Sequence, residues 1–314
     1  MTRLRTYSSL GVNVFPVSLG GNVFGWSASP AESFRVLDAY TAAGGNFIDT
    51  ADSYSAWAPG NEGGESERII GDWLASRRNR ADVVIATKVS AHPQHRGLAP
   101  ATIAAAAEDS LRRLRTDHID LYYTHFDDLS VPVEDIIAAL DRLVTQGKVR
   151  AIAASNITPE RLEASLAFSA REGCARYVAL QPHYNLMERE FYETSLRPIA
   201  LRHDLAVFPY FSLAAGFLTG KYRPGEPIDS VREPRVTKYL GTERGHRVLA
   251  TIDQIAATRA TYPATIALAW LLAQPSITAP LASARTLAQL PPILAAADFD
   301  LKDDELTALS EAST

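Results

Sequence analysis

VVIATKV (83–89), followed by ATIAAAAEDSLRRL (101–114) and then IDLYYTH (119–125), is the stretch that decides the fold. Its first and last segments are short apolar runs rich in β-branched or aromatic residues. The middle segment is longer and amphipathic, with apolar side chains at helical spacing. Strand, helix, strand is the unit that builds a parallel sheet, because two parallel neighbours need a crossover connection between them.

The unit recurs on both sides. Candidate strands run through Phe15–Gly21, Asn46–Thr50, Val83–Lys88, Ile119–His125, Val149–Ser155, Tyr177–Gln181, Ala206–Tyr210 and Ile277–Leu281. Helical patterns lie between them at Ala31–Ala43, Ser66–Ser76, Ala101–Leu114, Val133–Gln146, Pro159–Arg171, Arg189–Arg202 and Thr265–Ala273, with a last one after Thr286. Ser29 with Pro30, and Thr158 with Pro159, read as N-caps followed by proline in the first turn. Gly44 and Gly147 read as C-terminal stops. Strand ends at Gly21, Asp49, Lys88, His125, Asn156, Gln181, Tyr210 and Leu281 are separated by 28, 39, 37, 31, 25, 29 and 71 residues. Six intervals fit one βα repeat, and the seventh leaves room for an excursion at Leu218–Gly245, a candidate lid. The economical reading is an α/β fold: one (β/α)8 TIM barrel domain over residues 1–314. A hairpin at Leu4–Val14, turning near Gly11, precedes it as a plug for the barrel floor, and an extra helix ends the chain.

Composition excludes several function classes. With 31 Lys+Arg against 36 Asp+Glu the formal charge is −5, which argues against nucleic acid as a partner. The content of 46% hydrophobic and 21% charged residues is that of a folded chain with a large core. The single Cys174 cannot form an intrachain disulfide, and no Cys/His cluster has zinc spacing, so no metal is expected. The most apolar stretch, Ile266–Ala273, is too short to span a bilayer, and the N-terminus lacks the apolar core of a secretory signal. These features predict a cytoplasmic protein with no membrane partner.

In such barrels the chemistry sits at the carboxyl ends of the strands. There the sequence offers Asp49 in NFIDTADSY, Tyr54 five residues later, Lys88 in VVIATKV and His125 in IDLYYTH. Singly, each has an ordinary structural explanation. Together they make chemical sense: an ammonium stabilises a phenolate and lowers the phenol's pKa, a buried ammonium needs a carboxylate, and an imidazole can hydrogen-bond a carbonyl oxygen. These are the parts for protonating an alkoxide as hydride reaches a carbonyl carbon. Lys88 as a Schiff-base nucleophile of a barrel aldolase is a second reading.

LGGNVFGW, GGNFIDTADSY, GESERIIGDWL, ATKV, DSLRRLRTDHIDLYYTH, GKVRAIAASN, QPHYNL, PYFSLAAGFLTGKY and TLAQL, in this order, resemble the aldo-keto reductases over nearly the whole chain. The resemblance implies an NADPH-dependent reductase of aldehydes or ketones, with Tyr54, Asp49, Lys88 and His125 as a catalytic tetrad and Tyr54 as the general acid. It also implies that Ser155, Asn156 and Gln181 hold the nicotinamide carboxamide, that Tyr210 stacks on the nicotinamide, and that Gly21 and Asn22 flank it. Leu213, Ala215 and residues 216–221 match the loop over the pyrophosphate. Ser283, Arg285 and Gln289 match the region around the adenosine 2′-phosphate. A non-catalytic barrel that binds NADPH as a regulatory signal is a further alternative. Val23, Trp26, Trp57 and Phe126 are the expected walls of a pocket for a small carbonyl substrate. Where relatives often carry a Glu-Asn pair near the adenine, this chain has Pro292 and Ile293, and the last barrel helix is expected to begin or kink at Pro291.

Overall fold

The computed structural model describes residues 4–7, 11–223, 225 and 233–314. Eight strands form one parallel sheet: β1 (Ser18–Gly20), β2 (Phe47–Asp49), β3 (Val84–Val89), β4 (Ile119–Thr124), β5 (Val149–Ser155), β6 (Tyr177–Gln181), β7 (Ala206–Val207) and β8 (Leu281–Ala282). Their order is β7-β6-β5-β4-β3-β2-β1-β8. A parallel bridge from Val207 to Ile277 joins the ends, supported by Thr278 N–H to Val207 O at 2.9 Å and Leu281 N–H to Pro209 O at 2.9 Å. The sheet is therefore a closed (β/α)8 barrel. The last two strands are shorter than their apolar runs predict, because Ala206–Tyr210 and Ile277–Leu281 are held partly by these isolated bonds.

Pleating sorts the side chains. Along β3, Val84 and Ala86 point into the barrel while Ile85 and Val89 pack against the helices; along β4, Leu121 and Tyr123 point in and Tyr122 points out. The interior is filled by small residues, Ala86, Ala151, Ala153, Ala179, Ala206 and Ala279, packed between larger ones such as Leu121, Tyr123 and Leu281. Phe47 and Phe208 stack across it with ring centroids 4.6 Å apart. The floor is closed by the hairpin: Arg5–Tyr7 pairs antiparallel with Val12–Val14, residues 8–10 lying outside the described residues. Val14 is fully buried in the interior cluster, and the Arg5 guanidinium donates to the carbonyls of Ile277 and Leu272 at 2.6 and 2.8 Å.

The helices follow the expected punctuation. Ser29 caps Pro30–Ala42 by accepting from Glu32 N–H, Thr158 caps Pro159–Glu172 by accepting from Arg161 N–H, and Gly44 and Gly147 have positive φ just beyond helix ends. The apolar stretch at 266–273 belongs to helix Pro263–Leu272, which is buried nearly all round. The segment expected as one helix at Arg189–Arg202 contains a π-helical turn, Tyr192–Leu196, before Arg197–Arg202. In the candidate lid, residues 224 and 226–232 lie outside the described residues; the remainder contributes helix Glu233–Leu240 and the start of Glu243–Thr258. Pro291 and Pro292 occupy the first turn of the short helix Leu290–Leu294, and Asp303–Ala312 is the added C-terminal helix. No helix among the described residues is long and apolar enough to cross a membrane.

Helices Glu65–Arg77 and Pro100–Leu114 pack tightly at Gly71, where a Cβ would overlap Arg113 O and stand 2.8 Å from Leu114 C. Backbone cannot swing aside as a flexible side chain can. Gly71→Ala is expected to lower the unfolding free energy by about 1–3 kcal/mol in urea titration. An unchanged midpoint would show that the two helices separate freely.

Candidate active site

Barrel parity places the first functional groups. Asp49, Lys88, His125, Ser155 and Gln181 each lie two residues beyond an inward-facing side chain, namely Phe47, Ala86, Tyr123, Ala153 and Ala179. All five therefore project into the open, carboxyl end of the barrel. Tyr54 arrives from the turn after β2, held by Tyr54 N–H to Ala51 O at 3.2 Å and by Asp52 N–H to Lys88 O at 3.2 Å.

Lys88 is the centre. Its ammonium is fully buried and uses all three protons: 2.5 Å to Asp49 Oδ1, 2.7 Å to Thr50 O and 3.1 Å to Tyr54 Oη. Gln181 Nε2 donates to the other Asp49 oxygen at 2.8 Å, while Tyr54 Oη stands 3.5 Å from Asp49 Oδ1, at the edge of hydrogen bonding. Tyr54 thus accepts from Lys88 and keeps its own proton available to a ligand. The His125 ring lies edge-to-face with Tyr54, centroids 5.9 Å apart, and its Nδ1 is buried without a partner among the described residues.

Electrostatics corrects one expectation. Burial dominates the Tyr54 phenol and pushes its pKa up to about 12; the Lys88 ammonium pulls it down, and the Asp49 carboxylate opposes that pull. The net shift is therefore upward, and Lys88 only limits it. Burial would lower the Lys88 pKa, but Asp49 and Tyr54 beside it raise it. The amine needed for a Schiff base is thereby disfavoured. Burial, and then Lys88, hold His125 well below its ordinary pKa, so the imidazole is neutral near pH 7.

The expected cofactor residues converge on the same rim, largely bonded to one another. Ser155 Oγ donates to Gln181 O at 2.8 Å, Asn156 Nδ2 to His125 O at 2.7 Å, and Tyr210 Oη to Asn156 Oδ1 at 2.8 Å. Tyr210 stacks on His183, centroids 5.2 Å apart and 14° between planes, so one ring face is taken and its orientation is fixed. Gly20 allows close approach of β8: a Cβ there would meet Ser283 Oγ at 2.6 Å. Ser283 Oγ donates to Asn22 Oδ1 at 2.7 Å, next to Gly21, whose carbonyl accepts from Ser66. Leu213 leads into Ala214, Ala215 and Gly216, three consecutive residues of positive φ. Ser212 donates to Pro209 O from a buried position, so its hydroxyl is not offered to a ligand. Arg285 is exposed and has no carboxylate within 4 Å among the described residues; its backbone N–H donates to Gln289 Oε1 at 2.8 Å. An amide-lined rim beside a fixed aromatic ring, with a free guanidinium farther out, fits the chemistry of a nicotinamide dinucleotide.

The pocket walls divide. Trp26 and Trp57 meet edge-to-face at 5.5 Å, and Phe126 stacks on His125 at 4.8 Å. Val23, expected beside them, is instead fully buried in the core between sheet and helices, because its turn folds inward beneath Trp26 through bonds from Trp26, Ser27 and Ala28 N–H to Val23 O.

Sequence reading missed the supports behind the site. Thr50 Oγ1 donates to Ser66 Oγ, and Ser66 Oγ to Gly21 O, both at 2.8 Å. Glu67 accepts from Thr87 at 2.5 Å and from Arg113 at 2.6 Å. Ser66 and Glu67 belong to GESE (64–67), a segment visible in the sequence whose role depends on a helix start docking against β3.

The aldo/keto reductase family model matches residues 16–314. Norsolorinic acid reductase of Aspergillus flavus is 30% identical, the match covering 97% of this chain and 79% of that protein. Protein tas of Escherichia coli is 31% identical over 96% and 94% of the two chains. The oxidoreductase YrpG of Bacillus subtilis, itself uncharacterized, is 33% identical over 96% and 93%.

The buried pair yields a stability test. Lys88→Met leaves the Asp49 charge buried and uncompensated, at an expected cost of about 3–5 kcal/mol in urea unfolding. The double variant Lys88→Met/Asp49→Leu should recover most of that loss. Equal destabilisation of both proteins would deny that the uncompensated charge is the cause.

Proposed function

The chain belongs to the aldo/keto reductase family, and on that premise we propose that it is an NADPH-dependent reductase of aldehydes or ketones with Tyr54 as general acid. Family and relatives make it an oxidoreductase of the carbonyl-reductase kind; cofactor preference and residue roles are our reading. The observation that carries it is the Lys88 ammonium, fully engaged and 3.1 Å from Tyr54 Oη. Residues 1–314 act in this reading as one barrel unit.

The bound cofactor supplies hydride to the carbonyl carbon. Tyr54 gives its proton to the carbonyl oxygen as negative charge develops there, and Lys88 stabilises the phenolate left behind. Asp49, oriented by Gln181, keeps Lys88 charged in a buried place. Neutral His125 supplies a ring N–H to the same oxygen and positions the substrate. Ser155, Asn156 and Gln181 would hold the carboxamide, Tyr210 would stack on the nicotinamide ring, Gly21 and Asn22 would flank it, and Leu213 and Ala215 would meet the pyrophosphate. Arg285, near Ser283 and Gln289, would meet the 2′-phosphate with charge-assisted hydrogen bonds that a ribose hydroxyl cannot match.

Tyr54→Phe should reduce kcat by about 100-fold or more while the NADPH dissociation constant stays within a few-fold, because the proton is needed only in the transition state. Retention of more than about a tenth of wild-type kcat with an unactivated aldehyde would remove Tyr54 from the role. Arg285→Ala should weaken NADPH binding by about 1.5–3 kcal/mol and leave NADH nearly unchanged in fluorescence titration. Equal losses for both cofactors would mean that Arg285 does not read the phosphate.

A further inference from the structure

The parallel ladder between β6 and β7 runs on past both strands. Phe208 N–H donates to Leu180 O at 3.0 Å, Tyr210 N–H donates to Pro182 O at 2.9 Å, and His183 is bridged to Tyr210. Neighbours across a ladder bring their side chains together, and here they are an imidazole and a phenol in an offset stack, 14° from parallel. Phe211 meets both rings edge-on, 5.4 Å from His183 and 5.3 Å from Tyr210, and the Arg235 guanidinium caps Phe211 at 4.9 Å. With its hydroxyl held by Asn156 at 2.8 Å, the Tyr210 ring is fixed at its tip, one edge and one face. Its second face is the one that can take a flat ligand ring.

His183 is also the titratable member of this stack. Asn185 Nδ2 stands 3.5 Å from its Nε2, and an amide nitrogen can only donate, so the contact suits a neutral imidazole. Burial lowers the His183 pKa from 6.5; Glu188 opposes that, while Lys238 and Arg235 add to it. Burial would raise the Glu188 carboxyl, but hydrogen bonds from Lys238 at 2.7 Å and Tyr239 at 2.9 Å outweigh it and hold the group below its usual value. Lysine and arginine side chains do not titrate near neutral pH. Of the groups that face one another here, His183 is therefore the one whose charge changes as pH falls below about 6.5.

From this stack we propose that His183 is a positioning residue that acts through Tyr210, and that its protonation makes the site discriminate against the oxidised cofactor in favour of the reduced one. The proposal rests on the reading of Tyr210 as the ring that stacks on the nicotinamide. An oxidised nicotinamide ring carries a positive charge, and a reduced one is neutral. With a neutral imidazole behind it, the electron-rich face of the phenol is open to both, and favours the cation. An imidazolium one ring farther back repels the oxidised nicotinamide and has no net charge to act on in the reduced one. Linkage makes the coupling reciprocal: the oxidised cofactor lowers the affinity of His183 for its proton by the same factor.

Two binding measurements test it, neither of which needs turnover. In protein labelled with carbon-13 at histidine Cε1, the His183 resonance is titrated between pH 5.5 and 8 with saturating NADP+ or NADPH, and is recognised by its loss in His183→Phe. Its midpoint is expected to lie lower with NADP+ than with NADPH by about 0.5 pH or more. Calorimetry at pH 7.5 and 5.5 then gives the ratio of the NADP+ to the NADPH dissociation constant. In the wild type this ratio should rise about twofold or more as pH falls, and in His183→Phe, which keeps a flat ring but takes no proton, it should stay constant. The 2′-phosphate is common to both cofactors and cancels in the ratio, and titration of His125 persists in the variant. Equal midpoints, or a ratio that changes as much in His183→Phe as in the wild type, would overturn the proposal while leaving Tyr210 as the nicotinamide platform. Should neither cofactor saturate the protein, the cofactor reading fails and the proposal with it.

Discussion

Closure of a pleated parallel sheet is the constraint on which the rest of this molecule depends. Once Val207 bridges to Ile277, every strand must alternate its side chains between the barrel interior and the helical layer. Phe47, Ala86, Tyr123, Ala153 and Ala179 fill the interior, and the next inward position on each strand falls at the open end. Asp49, Lys88, His125, Ser155 and Gln181 occupy those positions. A one-residue slip of register would turn each of them toward the helices.

What the barrel gathers, burial then makes energetically consequential. An ammonium with no solvent exposure persists only because a carboxylate, a backbone carbonyl and a phenol absorb its three protons. The same burial raises the phenol's pKa, so Tyr54 holds its proton at neutral pH. The arrangement is held from behind: Thr50, whose carbonyl takes one of those protons, is tied through Ser66 to Gly21, and Thr87, next to Lys88, is tied through Glu67 to Arg113.

Strand ends and loops divide the work differently. Strand ends supply the charged and amide groups, whose positions are set by the hydrogen-bonded ladder. Loops supply the rings at the mouth, where packing area matters more than atomic placement. Trp26 and Trp57 come from separate loops yet meet edge-to-face, and Phe126 lies against His125 because Ser90, at φ 109°, accepts the Phe126 N–H. A non-glycine residue in that conformation is strained, and the hydrogen bond offsets part of the cost.

The sequence by itself determined the repeat: β5 at Val149–Ser155 and β6 at Tyr177–Gln181 have the bounds their apolar runs predict, and Ser29 and Thr158 cap the helices they precede. It also singled out Asp49, Lys88 and His125 at strand ends and Tyr54 just beyond one as candidates, because position along the repeat and chemical type are both local properties. Periodicity and capping act within a few residues and leave their mark in order along the chain. The tertiary structure alone decided that Val23 is buried, that the Tyr54 pKa moves up, and that GESE braces the site. Each of these depends on what surrounds a group from elements distant in sequence: a turn folded under Trp26, the exclusion of water from a phenol, and a helix start docked on β3. Desolvation and packing are sums over neighbours in space, and only the folded chain fixes which neighbours those are.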